Sequence, residues 1–171
     1  MKTVIYLVVI FWFFSLNNIF SFESNPAPGD IGTGGRDDLS FLEAKNSNFK
    51  KGKDSLRQAL KYKKKNKLKK ANKKFEKALK YFILAYKENP NNIEIINFLG
   101  FTYNMVGDFI MTEIYYTEGL SIDPNNITIN KRLGELYFKT KRIELAKERL
   151  KALSSCNCKE YVSLKSTIDK N

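Results

Sequence analysis

From Ile93 onward, apolar and polar positions follow a helical period. Ile96, Leu99, Gly100 and Tyr103 stand at i, i+3, i+4 and i+7, which on an α-helix puts them in one stripe. The pattern predicts a helix that ends at a turn over Val106-Gly107-Asp108, followed by a second helix from about Phe109 to Ser121. Pro124 ends the pair, and Asn125 or Asn126 is placed to cap the next helix by accepting a hydrogen bond from a free backbone N–H. Gly100, lacking a Cβ, lets a neighbouring helix approach the stripe closely.

The pattern recurs. NPNNIEI at 89–95 returns as DPNNITI at 123–129, which sets a period of 34. At that offset Leu99-Gly100 matches Leu133-Gly134, Tyr103 matches Tyr137, and Phe82, Tyr116 and Leu150 fall one period apart. Ala78 and Ala146 stand two periods apart. A hairpin of this size cannot cover both of its faces, so such units must stack on one another.

The stretch FEKALKYFILAYKENP, 75–90, reads as the second helix of an earlier unit, with Phe75, Ala78, Leu79, Phe82 and Ala85 on one face. Leu68 and Ala71 carry the stripe backward, so this helix is expected to start near Lys67 and to be unusually long. Its partner is expected from roughly Asn48 to Lys65, burying Phe49, Leu56, Ala59 and Leu60, with the turn near Asn66. No Leu-Gly doublet stands at the expected distance in this partner, which leaves the register of the first hairpin open. At the other end, Tyr161, Leu164 and Ile168 form a short stripe suited to a capping helix at about 158–169.

The segment 1–21 has another logic. Lys2 precedes an apolar run from Val4 to Phe14 and then a polar stretch, the layout of a signal peptide cleaved after Ser21. The run is shorter than the roughly 20 residues a spanning helix needs. The alternative is an uncleaved anchor in the inner membrane, lengthened by Ile19, Phe20 and Phe22. Residues 22–46, rich at their start in Pro, Gly, Asp and Ser, are expected to be a flexible linker, and 47–171 to form one domain with units at 47–92, 93–126 and 127–160.

Ile96, Leu99, Gly100, Tyr103, Tyr116 and Pro124 together resemble the signature of the tetratricopeptide repeat (TPR) family. The middle unit departs from it at Thr112 and Gly119, where alanine is usual. The third unit puts Asn130 at an apolar position and lacks the final proline. The resemblance implies an all-α, right-handed superhelical stack of helix-turn-helix repeats with a C-terminal capping helix. It also implies a concave groove, lined by the first helix of each unit, that holds a peptide. The groove positions carried over are Asn97, Phe101 and Asn104 in the middle unit and Lys131, Glu135 and Phe138 in the third. The Lys-Asn-Arg pattern that some members use to clamp a C-terminal carboxylate is incomplete here. The cysteines before the last helix are similar to those of small exported bacterial TPR proteins, in which they stand farther apart. A solvated or self-associating helix face is the plain alternative to a peptide groove.

Composition changes this picture in three ways. The formal charge is +12, and almost all of the excess lies in residues 50–88, where sixteen Lys or Arg face three acids. Arg57 is the only arginine of that block, and its aromatic residues fall largely on the buried stripe, which argues against nucleic acid. The readings left are a solvated helix face or a module that binds an anionic membrane surface, a polysaccharide or an acidic protein. Second, the chain has no histidine, the commonest general base and metal ligand, and no catalytic set or cofactor is implied. Third, Cys156 and Cys158 flank a single residue. A disulfide, inert thiols, a redox pair and a soft-metal site all stay open. The expected protein is an exported interaction scaffold of a bacterial periplasm or envelope, with a protein or peptide partner.

Overall fold

The computed structural model describes residues 37–170, with side-chain surroundings from residue 47. The segment read as a signal peptide lies outside the described residues. Those residues form seven helices: α1 (Asp37–Lys64), α2 (Leu68–Glu88), α3 (Ile93–Val106), α4 (Phe109–Ile122), α5 (Ile127–Lys139), α6 (Ile143–Ala152) and α7 (Lys159–Ile168). α1 with α2, α3 with α4 and α5 with α6 are hairpins, and α7 packs on α5 and α6.

Each hairpin turns on one left-handed residue: Asn66 (φ 54°), Gly107 (φ 91°) and Lys141 (φ 64°). Asn and Gly suit that conformation, whereas Lys141 adopts it against its Cβ. The turns repeat their bonds as well. Lys67, Asp108 and Arg142 each donate a backbone N–H to the carbonyl of a tyrosine, Tyr62, Tyr103 and Tyr137, at 2.9, 3.1 and 2.8 Å. Tyr62 is thus the first hairpin's counterpart of the repeat tyrosine.

The glycine that admits close packing is displaced rather than lost. A Cβ on Gly100 would lie 2.5 Å from the Tyr116 ring, and a Cβ on Gly52 would lie 2.5 Å from the Phe82 ring. Counted from the left-handed residue of each turn, Gly52 stands at −14 where Gly100 stands at −7, and Phe82 stands at +16 where Tyr116 stands at +9. Each helix of the first hairpin therefore carries seven additional residues. Seven residues are close to two helical turns, so the stripe keeps its face to within about 20°. The insertion also doubles the motif: Ala71 and Phe75 repeat the spacing of Ala78 and Phe82, and all four are buried.

Two expectations for this hairpin need correction. α1 starts at Asp37, so residues 37–46, expected as linker, are helical. Leu60 and Leu68, expected inside, are 38% and 56% exposed. The positions equivalent to Leu68 in the later units, Phe109 and Ile143, are only half-buried, and Phe109 is covered by Lys139 of α5. Leu68, next to the turn of the longest hairpin, is left more exposed than either.

The apolar interior runs through the stack as two clusters, one around Phe75, Phe82, Ile95 and Leu99, the other around Tyr116, Ile129, Leu133 and Leu164. Phe49, Phe82 and Phe98 interlock at centroid distances of 5.9, 5.6 and 5.4 Å and tie α1 and α2 to α3. Asn130 takes its apolar position fully buried. Its Nδ2 donates to the carbonyls of Pro124 and Asn126 at 2.9 and 3.1 Å, which removes most of the cost of burying an amide. In the third unit Leu164 of α7, rather than Leu150 of α6, meets Gly134, while Leu150 is half-buried. The capping helix thus completes the last core.

Candidate functional site

α1, α3 and α5 are the first helices of the three hairpins, and side chains join them along one side. From α1 to α3, Lys53 Nζ lies 3.7 Å from a Glu94 carboxylate oxygen and 4.3 Å from the centroid of Phe49. From α3 to α5, Arg132 Nη1 donates to Asn97 Oδ1 at 2.7 Å, and its guanidinium carbon sits 4.6 Å from the centre of the Phe101 ring. Asn97 and Phe101, four residues apart, are held on one face of α3 by the helical period, and Arg132 completes the cluster from the next helix.

Beneath this cluster lies the Tyr116 hydroxyl, buried without a hydrogen-bond partner. Burial pushes its pKa upward, and the nearby Arg132 guanidinium pulls it partly back. Asn104, one turn along from Phe101, also has an amide oxygen shut from solvent and unpaired. A buried acceptor without a donor is costly, and a ligand cannot reach an oxygen that water cannot, so this atom marks a weak point in the packing.

The other sequence-derived positions fare differently. Lys131 and Glu135 pair with each other at 2.8 Å across one turn of α5, so each neutralises the other. Phe138 packs against the core around Leu133 and Leu136 and is partly consumed there. Phe101 also packs on the core beside it but holds Arg132 over its ring, so Asn97 and Phe101 of α3 with Arg132 of α5 form the strongest part of the site. Arg132 was missed because it falls one position past the stripe transferred from the repeat signature. A usable signal existed: the chain has only five arginines among its 30 basic residues, and arginine rather than lysine suits a planar, bonded site.

On the other side of α3, Tyr103 borders an open apolar hollow of about 410 Å³ against Leu79, Ile83 and Leu84 of α2. Residues two apart on a helix point in nearly opposite directions, so this hollow is separate from Phe101. Tyr86 donates to Glu118 at 2.5 Å nearby, and that bond to a carboxylate, with burial, pushes its pKa up to about 12.

Cys156 and Cys158 are joined by a disulfide, with Cα atoms 5.1 Å apart, in the loop before α7. It lies outside the cluster on α3 and α5 and closes the turn that leads into the capping helix.

The stack of helix pairs finds its match among solved structures. The chain has the tetratricopeptide repeat fold. It is similar to the TPR domain of Arabidopsis OM64, at 20% identity and a TM-score of 0.59, over 77% of this chain and 98% of that one. The second TPR domain of human RPAP3, solved in complex with the HSP70 peptide SGPTIEEVD, matches 74% of this chain and 99% of its own, at 16% identity and a TM-score of 0.56. The Yersinia enterocolitica type III secretion chaperone SycD, in complex with a peptide of the translocator YopD, matches 69% of this chain and 86% of its own, at 16% identity and a TM-score of 0.52. No protein-family model matches the sequence, and no curated protein matches it. Within the TPR fold, α1, α3 and α5 are the helices whose residues were expected to line the groove.

Proposed function

We propose that this TPR protein is an exported interaction module that holds an extended peptide segment of a partner protein along α1, α3 and α5. The Arg132 guanidinium, bonded to Asn97 and laid over the Phe101 ring so that it joins α5 to α3, carries this reading. Phe101 supplies apolar area, and the guanidinium N–H groups of Arg132 that Asn97 leaves free meet a peptide carbonyl or carboxylate. The peptide complexes of RPAP3 and SycD support the class of ligand, since the same fold holds one there. Export to a bacterial periplasm or envelope rests on the N-terminal apolar run, and the Cys156–Cys158 disulfide suits an oxidising compartment.

The test is selection of binding peptides from a displayed library, followed by titration of the variants Asn97→Ala, Phe101→Ala and Arg132→Ala. Each is expected to weaken the selected peptide by about tenfold or more, as removal of a central contact does, in a chain whose circular dichroism spectrum shows it folded at the temperature of the titration. Peptides that bind all three variants as tightly as the parent chain would place recognition elsewhere.

A further inference from the structure

The first hairpin is a lever longer than its neighbours. Seven additional residues in each helix carry its turn about 10 Å beyond the turn between α3 and α4. Nine lysines crowd the segment from Lys61 to Lys74 with no acidic residue among them. None of the nine belongs to an ion pair among the described residues, whose pairs use Lys53, Arg57 and cations from α5 onward. At the same tip Leu60 and Leu68 stand exposed, 38% and 56%, on the two sides of the turn. A tip made only to stay in solution needs the lysines, but it gains nothing from the leucines.

We propose that this tip, residues 60–74, docks on the surface of an anionic phospholipid bilayer. The lysines supply unpaired positive charge to the headgroups, and their alkyl stems let the ammonium groups stay in water while the turn comes close. Leu60 and Leu68 enter the apolar boundary beneath the headgroups. Bare Leu68 favours a bilayer over a soluble polyanion, which offers a leucine nothing. Nucleic acid is disfavoured further, because the tip has no arginine and its aromatic residue, Tyr62, is half-buried, as the neighbouring Phe75 is buried. The groove and the tip lie on different parts of the chain, so one molecule can hold a peptide and rest on a membrane together.

The experiment is co-sedimentation of the full chain with vesicles of phosphatidylcholine alone or mixed with phosphatidylglycerol. Comparing these two vesicles cancels the uncharged contribution of the apolar N-terminus. Binding is expected to be much stronger to the mixed vesicles, and the excess should fall steeply with salt. Replacing Lys64, Lys65, Lys69 and Lys70 by glutamine should weaken it about tenfold or more. Leu68→Ser, which keeps every charge, should weaken vesicle binding severalfold and leave binding to heparin unchanged. All five side chains are exposed, so an unchanged circular dichroism spectrum and melt serve as the folding control. Equal binding to both vesicles, or vesicle binding indifferent to the lysine changes, overturns the proposal. If Leu68→Ser matches the parent on vesicles while heparin binds tightly, the tip is a polyanion site instead.

Discussion

The hairpins α1–α2 and α3–α4 solve one packing problem at two lengths. In both, a glycine on the first helix receives an aromatic ring from the second, at 2.5 Å from where a Cβ would lie. In both, a left-handed residue makes the turn and a tyrosine carbonyl closes it. They differ in what else holds them. α3 and α4 begin on Asn92 and Asp108, whose side chains accept from backbone N–H groups at 3.0–3.2 Å, whereas α2 begins on Lys67 with no side-chain cap. The long hairpin compensates with a doubled Ala-Phe motif, buried throughout. Length added in heptads therefore keeps the packing rule, and the missing cap is independent of length, because α6 of the short third hairpin also begins without one, on Arg142.

The largest effect expected follows from that rule. Deleting segments 53–59 and 71–77 together brings Gly52 to the distance from Asn66 that Gly100 keeps from Gly107. It also sets Ala78 and Phe82 where Thr112 and Tyr116 stand in the middle unit. The shortened chain is expected to fold and melt cooperatively. Deleting 71–77 alone moves Phe82 two helical turns from Gly52 to the level of Ala59, whereas deleting 53–59 alone brings Gly52 to the level of Phe75 and leaves Phe82 without a glycine. Each single deletion thus mismatches one ring that the paired deletion keeps matched. Circular dichroism and the melting transition separate the outcomes. If the paired deletion unfolds as readily as either single one, the additional residues are not two in-phase heptads.

A smaller effect compares the two contacts directly. Gly52→Ala and Gly100→Ala each drive a Cβ into a buried ring. Overpacking of this kind typically costs about 1–3 kcal/mol, offset by the gain of about 1 kcal/mol for alanine over glycine within a helix. Both variants should be destabilised in denaturant titration, and by similar amounts. A large inequality would show that the first hairpin yields where the second does not.

Much of this was legible from residue types alone. The period of 34 placed α3 to α6 because Leu-Gly and Tyr recur at fixed positions, and each has a local physical reason. The first hairpin hid its register because Lys51-Gly52 replaces Leu-Gly and stands two heptads from where the period puts it. Leu60 and Leu68 belonged to the stripe by spacing, yet only the folded stack shows that both stand exposed. Arg132 eluded the pattern for a related reason. Its partners, Asn97 and Phe101, lie on another helix, and no spacing within α5 points to them.

The smallest effect tests whether the missing cap matters. Asn92→Ala and Asp108→Ala each remove an acceptor from the first turn of a helix, a loss of about 0.5–2 kcal/mol. Lys67→Asp does the reverse for α2. It places a carboxylate at the positive end of the helix dipole and takes one charge from a crowded tip, so a gain of up to about 1 kcal/mol is expected from the cap and the dipole together. The backbone sets the condition on this gain. Lys67 has φ −92° and ψ 64°, close to the −84° and 86° of Asp108, which already caps α4 from that geometry. The two positions are equivalent across the repeat, so the same carboxylate should reach the same N–H, three residues on. A raised denaturation midpoint with an unchanged slope would establish that the long hairpin lacks its cap by composition and not by shape.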